Sequence, residues 1–249
     1  MKKMYFLAVC CLISSSALAQ RAKSSSSFFS TEKADAPITF GVRGGVNFAG
    51  MSMGDSDIKD PDGRTSFNVG VSVDIPILQS LYVNTGLWYT SKGCKWKESD
   101  YDDDGSYEKE KLTYSPAYLQ IPVLASYRFN FSDKLQWQLN FGPYFACGVG
   151  GKGKYKDEVG YDYNDFEPHV STEKWDFFGD KGESSDGETW KIDKDDRNKR
   201  FDFGLAFGTG LTIAKHFFVG VQYELGLTRV CKSEKSKNRN FSIYGGFNF

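Results

Sequence analysis

The chain has 249 residues, with 31 lysines and arginines against 32 aspartates and glutamates, and a formal net charge of -1. A nucleic-acid partner is not expected, because binding to phosphates requires a basic face. After the first 19 residues, no stretch offers the roughly 18 uninterrupted apolar residues that a membrane-spanning helix needs. The sequence therefore predicts neither a nucleic-acid binder nor a helical membrane protein.

The N-terminus has the features of an export signal. Lys2 and Lys3 provide a positive start, residues 4–13 an apolar core, and Ala17-Leu18-Ala19 a small-residue cleavage site. Residues 1–19 are therefore predicted to be a signal peptide, and export is expected. A lipid-anchored cysteine is not expected, because Cys10 and Cys11 lie inside the signal.

The rest of the chain divides into a short leader and one domain. Residues 20–37 are rich in serine and lack periodicity, which predicts a flexible periplasmic leader. Residues 38–249 fit one β-barrel or sandwich domain by length. Three cysteines remain after cleavage, and this odd number allows one bridge at most and leaves its members open: Cys94, Cys147 and Cys231.

From residue 38 onward, apolar residues alternate with polar or small ones. Between residues 135 and 147, one face of the predicted strand is formed by leucine, tryptophan, phenylalanine, proline and cysteine, and the other by glutamine, asparagine, glycine, tyrosine and alanine. A period of two places the two sets on opposite faces of a strand. Eight such strands are predicted: residues 40–48, 66–75, 81–91, 117–129, 135–147, 201–213, 217–228 and 241–249.

Three features favour a membrane barrel over a soluble one. The polar faces are rich in glycine, alanine and serine, most strands reach the roughly 9–11 residues that cross a bilayer, and short connections alternate with long ones. The fold expected is an all-β, eight-stranded antiparallel up-and-down transmembrane β-barrel with short periplasmic turns and long extracellular loops. The alternative is a soluble periplasmic ligand-binding barrel with inverted faces. The long loops are predicted at residues 50–64, 92–115, 149–200 and 229–240.

The last strand ends in an aromatic residue and resembles the signal by which outer-membrane barrels reach the barrel assembly machinery. The residues expected to form this assembly signal are Tyr244, Phe247 and Phe249. Aromatic residues are abundant throughout, at 16% of the chain, which suits the two membrane interfaces.

Several segments resemble the PorT-like outer-membrane β-barrel family of Bacteroidetes. They are residues 40–47 (FGVRGGVN), 86–89 (GLWY), 118–123 (YLQIPV) and 244–249 (YGGFNF). The resemblance implies an outer-membrane location in a Gram-negative cell and a link to protein secretion. Because these motifs build the barrel, they assign no functional residue.

Five charged residues fall on the polar faces of the predicted strands. An eight-stranded barrel is just wide enough for its own side chains, so these charges must pair or hold water inside it. We expect these residues to form an internal ion-pair network that fills the lumen, so that the barrel resembles a porin in shape but does not transport. A narrow passive channel is the alternative. The network comprises Arg43, Asp74, Arg128, Asp202 and Glu224.

An acidic segment resembles the first half of a calcium loop. Asp100, Asp102 and Asp104 alternate ahead of Gly105, as calcium ligands do, but Lys111 occupies the position of the bidentate glutamate. A solvated acidic loop is therefore favoured over a calcium site, and no cofactor is expected.

The longest predicted loop, 149–200, contains many aromatic residues. It either binds a partner or folds over the barrel mouth and packs its own rings. An enzyme is not expected, because the two histidines, His169 in this loop and His216 in a turn, accompany no recognisable nucleophile motif. A lipid-modifying enzyme that uses His169 is the remaining catalytic alternative. The expected protein is structural or surface-binding, with outer-membrane lipid and lipopolysaccharide as partners. The aromatic residues are Tyr155, Tyr161, Tyr163, Phe166, Trp175, Phe177, Phe178 and Trp190.

Overall fold

The computed structural model describes residues 36–52, 61–132, 134–161, 167–194, 197–231 and 236–249. The predicted signal peptide, residues 1–19, lies outside these ranges, as does all of the predicted leader except residues 36 and 37. Within the described ranges, no helix is both long and apolar enough to cross a membrane.

The described residues form twelve β-strands in one antiparallel sheet. In chain order they are β1 (Thr39–Ser52), β2 (Asp62–Pro76), β3 (Leu81–Ser91), β4 (Cys94–Tyr101), β5 (Ser106–Ser132), β6 (Leu135–Tyr161), β7 (His169–Asp176), β8 (Lys181–Ser184), β9 (Thr189–Lys191), β10 (Phe201–Ile213), β11 (Phe217–Gly226) and β12 (Lys237–Asn248).

Eight of these strands pair in a closed ring. The order is β1, β2, β3, β5, β6, β10, β11 and β12, and β12 pairs again with β1 from Gly41 opposite Asn248 to Ser52 opposite Lys237. The eight predicted strands correspond to these eight; the last two were predicted to end two residues after β11 and one residue after β12, respectively. Short turns join β2 to β3, β5 to β6 and β10 to β11, at the three places where the sequence predicted them.

Two of the predicted long loops are largely strand, so that part of the prediction was wrong. Residues 92–115 contain β4 and the start of β5, and residues 149–200 contain the end of β6 with β7, β8 and β9. These segments still alternate, but lysine alternates with acidic or aromatic residues and neither face is continuously apolar, so a search for an apolar face misses them. We give the name extension sheet to β4, β7, β8 and β9 together with residues 106–115 of β5 and residues 151–161 of β6.

The ring has its polar side chains inside and its apolar side chains outside. Large apolar residues on the outer faces are exposed, including Phe40 at 57%, Phe141 at 59% and Phe217 at 60%. Their neighbours along the strands point into the ring and are buried, as for Arg43 at 4% and Asn140 at 4%. Exposure of this much apolar surface is unusual for a monomeric soluble protein.

The seam between β1 and β12 depends on a close backbone contact. A Cβ atom at Gly45 would lie 2.2 Å from the backbone oxygen of Ile243 and 2.6 Å from the Cα of Tyr244. At the neighbouring Gly44, the nearest atom to such a Cβ, the backbone oxygen of Asn68, is 3.6 Å away. Two adjacent glycines therefore differ sharply in the space around them.

We expect Gly45→Ala to lower the free energy of unfolding by about 1–3 kcal/mol, because the added methyl group forces the two strands apart. Gly44→Ala is the matched control and is expected to change it by less than about 1 kcal/mol. Urea titration of the refolded protein, followed by tryptophan fluorescence, measures both. Equal stability of the two variants would contradict the close seam.

Candidate functional site

Six charged residues are buried inside the ring within the described ranges. Five of them are the predicted network, and the sixth, Lys92, is fully buried at 0% exposure. Their formal charges cancel, because three cations face three anions. They form two clusters at different heights in the ring, one near the short turns and one near the extension sheet. The residues are Arg43, Asp74, Lys92, Arg128, Asp202 and Glu224.

The first cluster lies near the short turns and is centred on Asp74. Its carboxylate is 2.8 Å from the guanidinium of Arg128 and 3.7 Å from that of Arg43. Asn84 donates a hydrogen bond to it at 2.6 Å. Arg43 also lies over the ring of Phe218 at 3.7 Å. Two guanidinium groups thus share one carboxylate, and an aromatic ring accommodates part of the remaining positive charge.

The second cluster lies near the extension sheet and is centred on Lys92. Its ammonium group is 3.0 Å from Glu224 and 3.4 Å from Asp202, so one cation is shared by two carboxylates. Asp202 accepts further hydrogen bonds from Asn238 at 2.9 Å and from Thr228 at 3.1 Å. These donors satisfy the buried oxygens, as buried charges require.

Lys92 was missed by the sequence analysis, which ended the third strand at Ser91 and assigned Lys92 to a loop. Its position continues the alternation of the enclosed face of β3, where Asn84, Trp88 and Thr90 precede it at even positions. Extending the period of two by a single residue would have placed it among the interior charges.

A small cavity lies between the two clusters. Its volume is about 20 Å³, which is enough for roughly one water molecule. Three polar atoms of its lining make no hydrogen bond within the described part of the chain: Asn68 Oδ1, Trp88 Nε1 and Gln120 Oε1. A trapped water would satisfy such atoms, and a cavity of this volume is far smaller than the water-filled lumen of larger barrels.

Part of the predicted long loop closes over the end of the ring nearest the extension sheet. Phe177 and Phe178 are buried, and Phe178 packs edge-on against Tyr118 inside the ring at 5.5 Å. Arg200 holds the segment through hydrogen bonds to the backbone oxygens of Gly148 at 3.0 Å and Phe178 at 3.1 Å. For these two rings, the structure agrees with a loop that packs over the mouth.

The other aromatic residues of that predicted loop have different surroundings. Trp175 and Trp190 are half-buried in the extension sheet, and each indole lies over a glycine of the neighbouring strand, Gly153 and Gly182 respectively. Tyr155 is half-buried as well and donates a hydrogen bond to Glu110. Tyr161 is 53% exposed. The remaining two, Tyr163 and Phe166, lie outside the described residues.

The candidate calcium ligands do not converge. Asp100 lies in β4 opposite Glu108, whereas Asp102 and Asp104 belong to the turn that joins β4 to β5. The hydroxyl of Ser106 donates a hydrogen bond to Asp104 at 2.6 Å and its backbone N–H donates a second one at 2.9 Å, and these two bonds lower the pKa of Asp104 below its ordinary value. Among the described residues no three carboxylate, histidine or cysteine side chains are grouped to hold a metal ion. The segment that was predicted to be an acidic loop is the tight β-hairpin between β4 and β5.

The histidines, cysteines and terminal aromatic residues lie apart from the interior clusters. His169 is exposed at the start of β7, and the ring of His216 stacks on Phe247 at 5.3 Å. Cys94 and Cys231 are buried in one cluster near the extension sheet, and Cys147 is exposed. Of the predicted assembly signal, Tyr244 is buried against Trp88, Phe247 is at the surface, and Phe249 is 73% exposed.

An antiparallel arrangement with a polar interior and an apolar exterior is typical of the class of outer-membrane β-barrels. The chain belongs to the outer membrane protein beta-barrel domain family, whose model matches residues 19–232. No curated protein matches the sequence significantly. Membership of this family carries an outer-membrane location in Gram-negative bacteria.

Several solved outer-membrane proteins are similar in structure. Ail of Yersinia pestis, in complex with the heparin analogue sucrose octasulfate, is 12% identical, with 86% of this chain and 100% of Ail covered and a TM-score of 0.34. Neisserial surface protein A is 13% identical, with coverage of 86% and 98% and a TM-score of 0.31. The protease OmpT of Escherichia coli is 10% identical, with coverage of 90% and 99% and a TM-score of 0.36. TM-scores this low say nothing about what this chain binds or does.

We expect Lys92→Met to lower the free energy of unfolding by about 3–5 kcal/mol, because it leaves two buried carboxylates without their cation. The double variant Lys92→Met/Glu224→Gln removes one of those carboxylates and should recover part of the loss. Urea titration in detergent micelles compares the three proteins. If Lys92→Met unfolds at the same urea concentration as the unsubstituted chain, Lys92 does not balance the cluster.

Proposed function

We propose that the protein is an eight-stranded barrel that spans the outer membrane without conducting, and that presents the extension sheet at the cell surface for recognition. The observation that supports this most is the described part of the interior, where six charged residues pair and the cavity between their two clusters has a volume of about 20 Å³. Such an interior needs no ligand to complete it. Any binding function then belongs to the part of the chain beyond the membrane.

The exterior supports the membrane assignment. The outer faces of the ring are apolar on every strand, and the six shorter strands of the ring have 10–15 residues, against the roughly 9–11 needed to cross a bilayer. A soluble periplasmic barrel would leave these faces in water at a large free-energy cost. We therefore prefer the membrane barrel to the soluble alternative.

The lengths of the connections support one orientation. Short turns face the periplasm in bacterial outer-membrane barrels and long connections face outward. The extension sheet lies at the rim opposite the three short turns, because β5 and β6 run from the Ser132 to Leu135 turn up into it. The sheet is therefore proposed to stand outside the cell, where its exposed strands are available to partners.

The channel and enzyme alternatives have less support. A passive channel needs a continuous polar path, whereas both ion clusters and the rings of Phe177 and Phe178 occupy the interior and its mouth. A lipid-modifying enzyme needs a base beside a nucleophile, and His169 is exposed at the start of β7. The link to secretion implied by the PorT-like resemblance stays a prediction, as does the role of Tyr244, Phe247 and Phe249 in assembly.

A charge on the outer face of the ring tests the membrane assignment. Val71 on β2 is 50% exposed, and Val170 on β7 of the extension sheet is 41% exposed. In lipid vesicles, Val71→Arg should lower the free energy of unfolding by about 2–4 kcal/mol, because the arginine faces lipid. Val170→Arg is the matched control and should change it by less than about 0.5 kcal/mol, since it faces water. Equal effects would contradict a membrane-spanning ring.

Conductance separates the closed barrel from a channel. The refolded protein in a planar bilayer should give no discrete current steps, because the paired charges fill the interior. A known outer-membrane porin, inserted in the same way, shows that the bilayer reports channels. Gel mobility before and after boiling shows that folded protein was added. Regular single-channel steps from folded protein would overturn the closed barrel in favour of the channel.

A further inference from the structure

The extension sheet separates its charges by face. Directly opposed residues in an antiparallel pair share one face, and successive residues of a strand alternate, so the register assigns every side chain to a face. One face, which we call the lysine face, has ten lysines against three acids, Glu158, Asp176 and Glu183. The lysines are Lys95, Lys97, Lys109, Lys111, Lys152, Lys154, Lys156, Lys174, Lys181 and Lys191.

The other face of the same sheet has the opposite charge. It contains six carboxylates and, within the described strands of the sheet, no lysine or arginine. The carboxylates are Glu98, Asp100, Glu108, Glu110, Asp157 and Glu173. Along the strands, lysine alternates with acidic or aromatic residues. The register then places lysines beside lysines on one face and carboxylates beside carboxylates on the other. The segregation is therefore a property of the register as much as of the composition.

Lysines on the lysine face lie directly opposite one another. Lys111 pairs with Lys97 on one side and with Lys156 on the other, so three lysines occupy one row across the strands. Lys154 is opposite Lys174 in a second row. Like charges directly opposite in a sheet are destabilising. Of these five lysines, Lys156 alone has a carboxylate at ion-pair distance within the described part of the chain, Glu158 at 2.7 Å. An anion bound across these rows would remove the repulsion.

The lysine face continues the apolar exterior of the ring. On β5, the outward residues Leu119 and Ile121 are followed, at odd positions further up the strand, by Lys111 and Lys109. On β6 the pairing skips Val149, so the side chains exchange faces at that bulge. Without the bulge, the three even-numbered lysines of β6 would face the inner side of the sheet. The first of them, Lys152, follows the apolar Val149 by roughly 10 Å of strand.

A groove formed by β6, β7, β8 and β9 of the extension sheet has the size of a small-ligand site. Its volume is about 580 Å³, within the common range for ligand pockets. Four of the ten lysines line it together with Asp176, Glu183 and Thr189. The lysines are Lys152, Lys174, Lys181 and Lys191. Ammonium groups converging from four strands suit phosphate groups on a sugar, whose hydroxyls the acids and the threonine can bind.

We propose that the lysine face binds the phosphate groups of glycolipid headgroups in the outer leaflet of the membrane that holds the barrel. The inference rests on the proposed function, which sets the extension sheet outside the cell. The glycolipid is favoured over a soluble polyanion because the face lies directly beyond, and on the same side as, the lipid-contacting residues. It is favoured over a second copy because the carboxylate face, its complement, lies on the inner side of the sheet.

The test uses the full mature chain refolded into phosphatidylcholine vesicles that contain a fluorescent-labelled diphosphoryl lipid A, or the same lipid A without its phosphates. Energy transfer from the protein's tryptophans reports local enrichment of the labelled lipid. We expect enrichment with the phosphorylated lipid only, and a decrease as salt is raised. The double variant Lys154→Gln/Lys174→Gln should weaken the enrichment roughly 10- to 30-fold, because each lysine near an anionic membrane surface strengthens binding about fivefold.

The matched control is Lys134→Gln/Lys215→Gln, which removes the same charge from exposed lysines at the short-turn rim and should leave enrichment unchanged. Equal enrichment of both lipids, or equal loss in both double variants, would overturn the proposal. Salt-sensitive self-association in neutral detergent that the Lys154→Gln/Lys174→Gln variant abolishes would assign the face to a second copy. A chain that fails to insert, seen as no boiling-dependent gel shift, would overturn the proposed function instead.

Discussion

Charges enclosed by a narrow ring of strands must neutralise one another, because no bulk water reaches them and each unpaired ion costs several kcal/mol. The interior meets this constraint with two complementary clusters. Two arginines share Asp74 near the short turns, and Lys92 is shared by Asp202 and Glu224 near the extension sheet. Neither cluster is neutral alone, yet the pair is. This mutual dependence ties strands from all around the ring together and leaves little open space.

The same constraint explains where function can lie. The buried charges of the interior are paired among its own side chains, and the rings of Phe177 and Phe178 lie at its end, which supports the proposal of a barrel without a substrate site or an ion path. The exterior of the ring is uniformly apolar and fits lipid. The segregated charges of the extension sheet are the chemistry that remains, and in the proposed orientation they face the medium outside the cell.

One rule of geometry governs both halves of the outer surface. Successive side chains of a strand alternate between faces, so a strand as long as β5 can present apolar residues to lipid and then lysines above it on the same face. The bulge at Val149 keeps β6 in step with β5 despite a change of parity in its sequence. An outward surface that changes from apolar side chains to lysines matches the change from lipid chains to phosphorylated headgroups.

Period-two alternation by itself determined much of this protein: the all-β class, the ring strands, the short turns, and five of the six buried charges, because side-chain direction in a strand depends on local backbone geometry alone. Lys92 was missed because the predicted third strand ended at Ser91, where the alternation with apolar residues stops. The extension sheet was missed because neither of its faces is continuously apolar. Its charge segregation depends on the register, as the pairing of Lys111 with Lys97 and Lys156 shows. Register, the Val149 bulge and the hairpin turn that separates Asp100 from Asp104 depend on which strands meet, and such contacts between distant segments exist only in the tertiary structure.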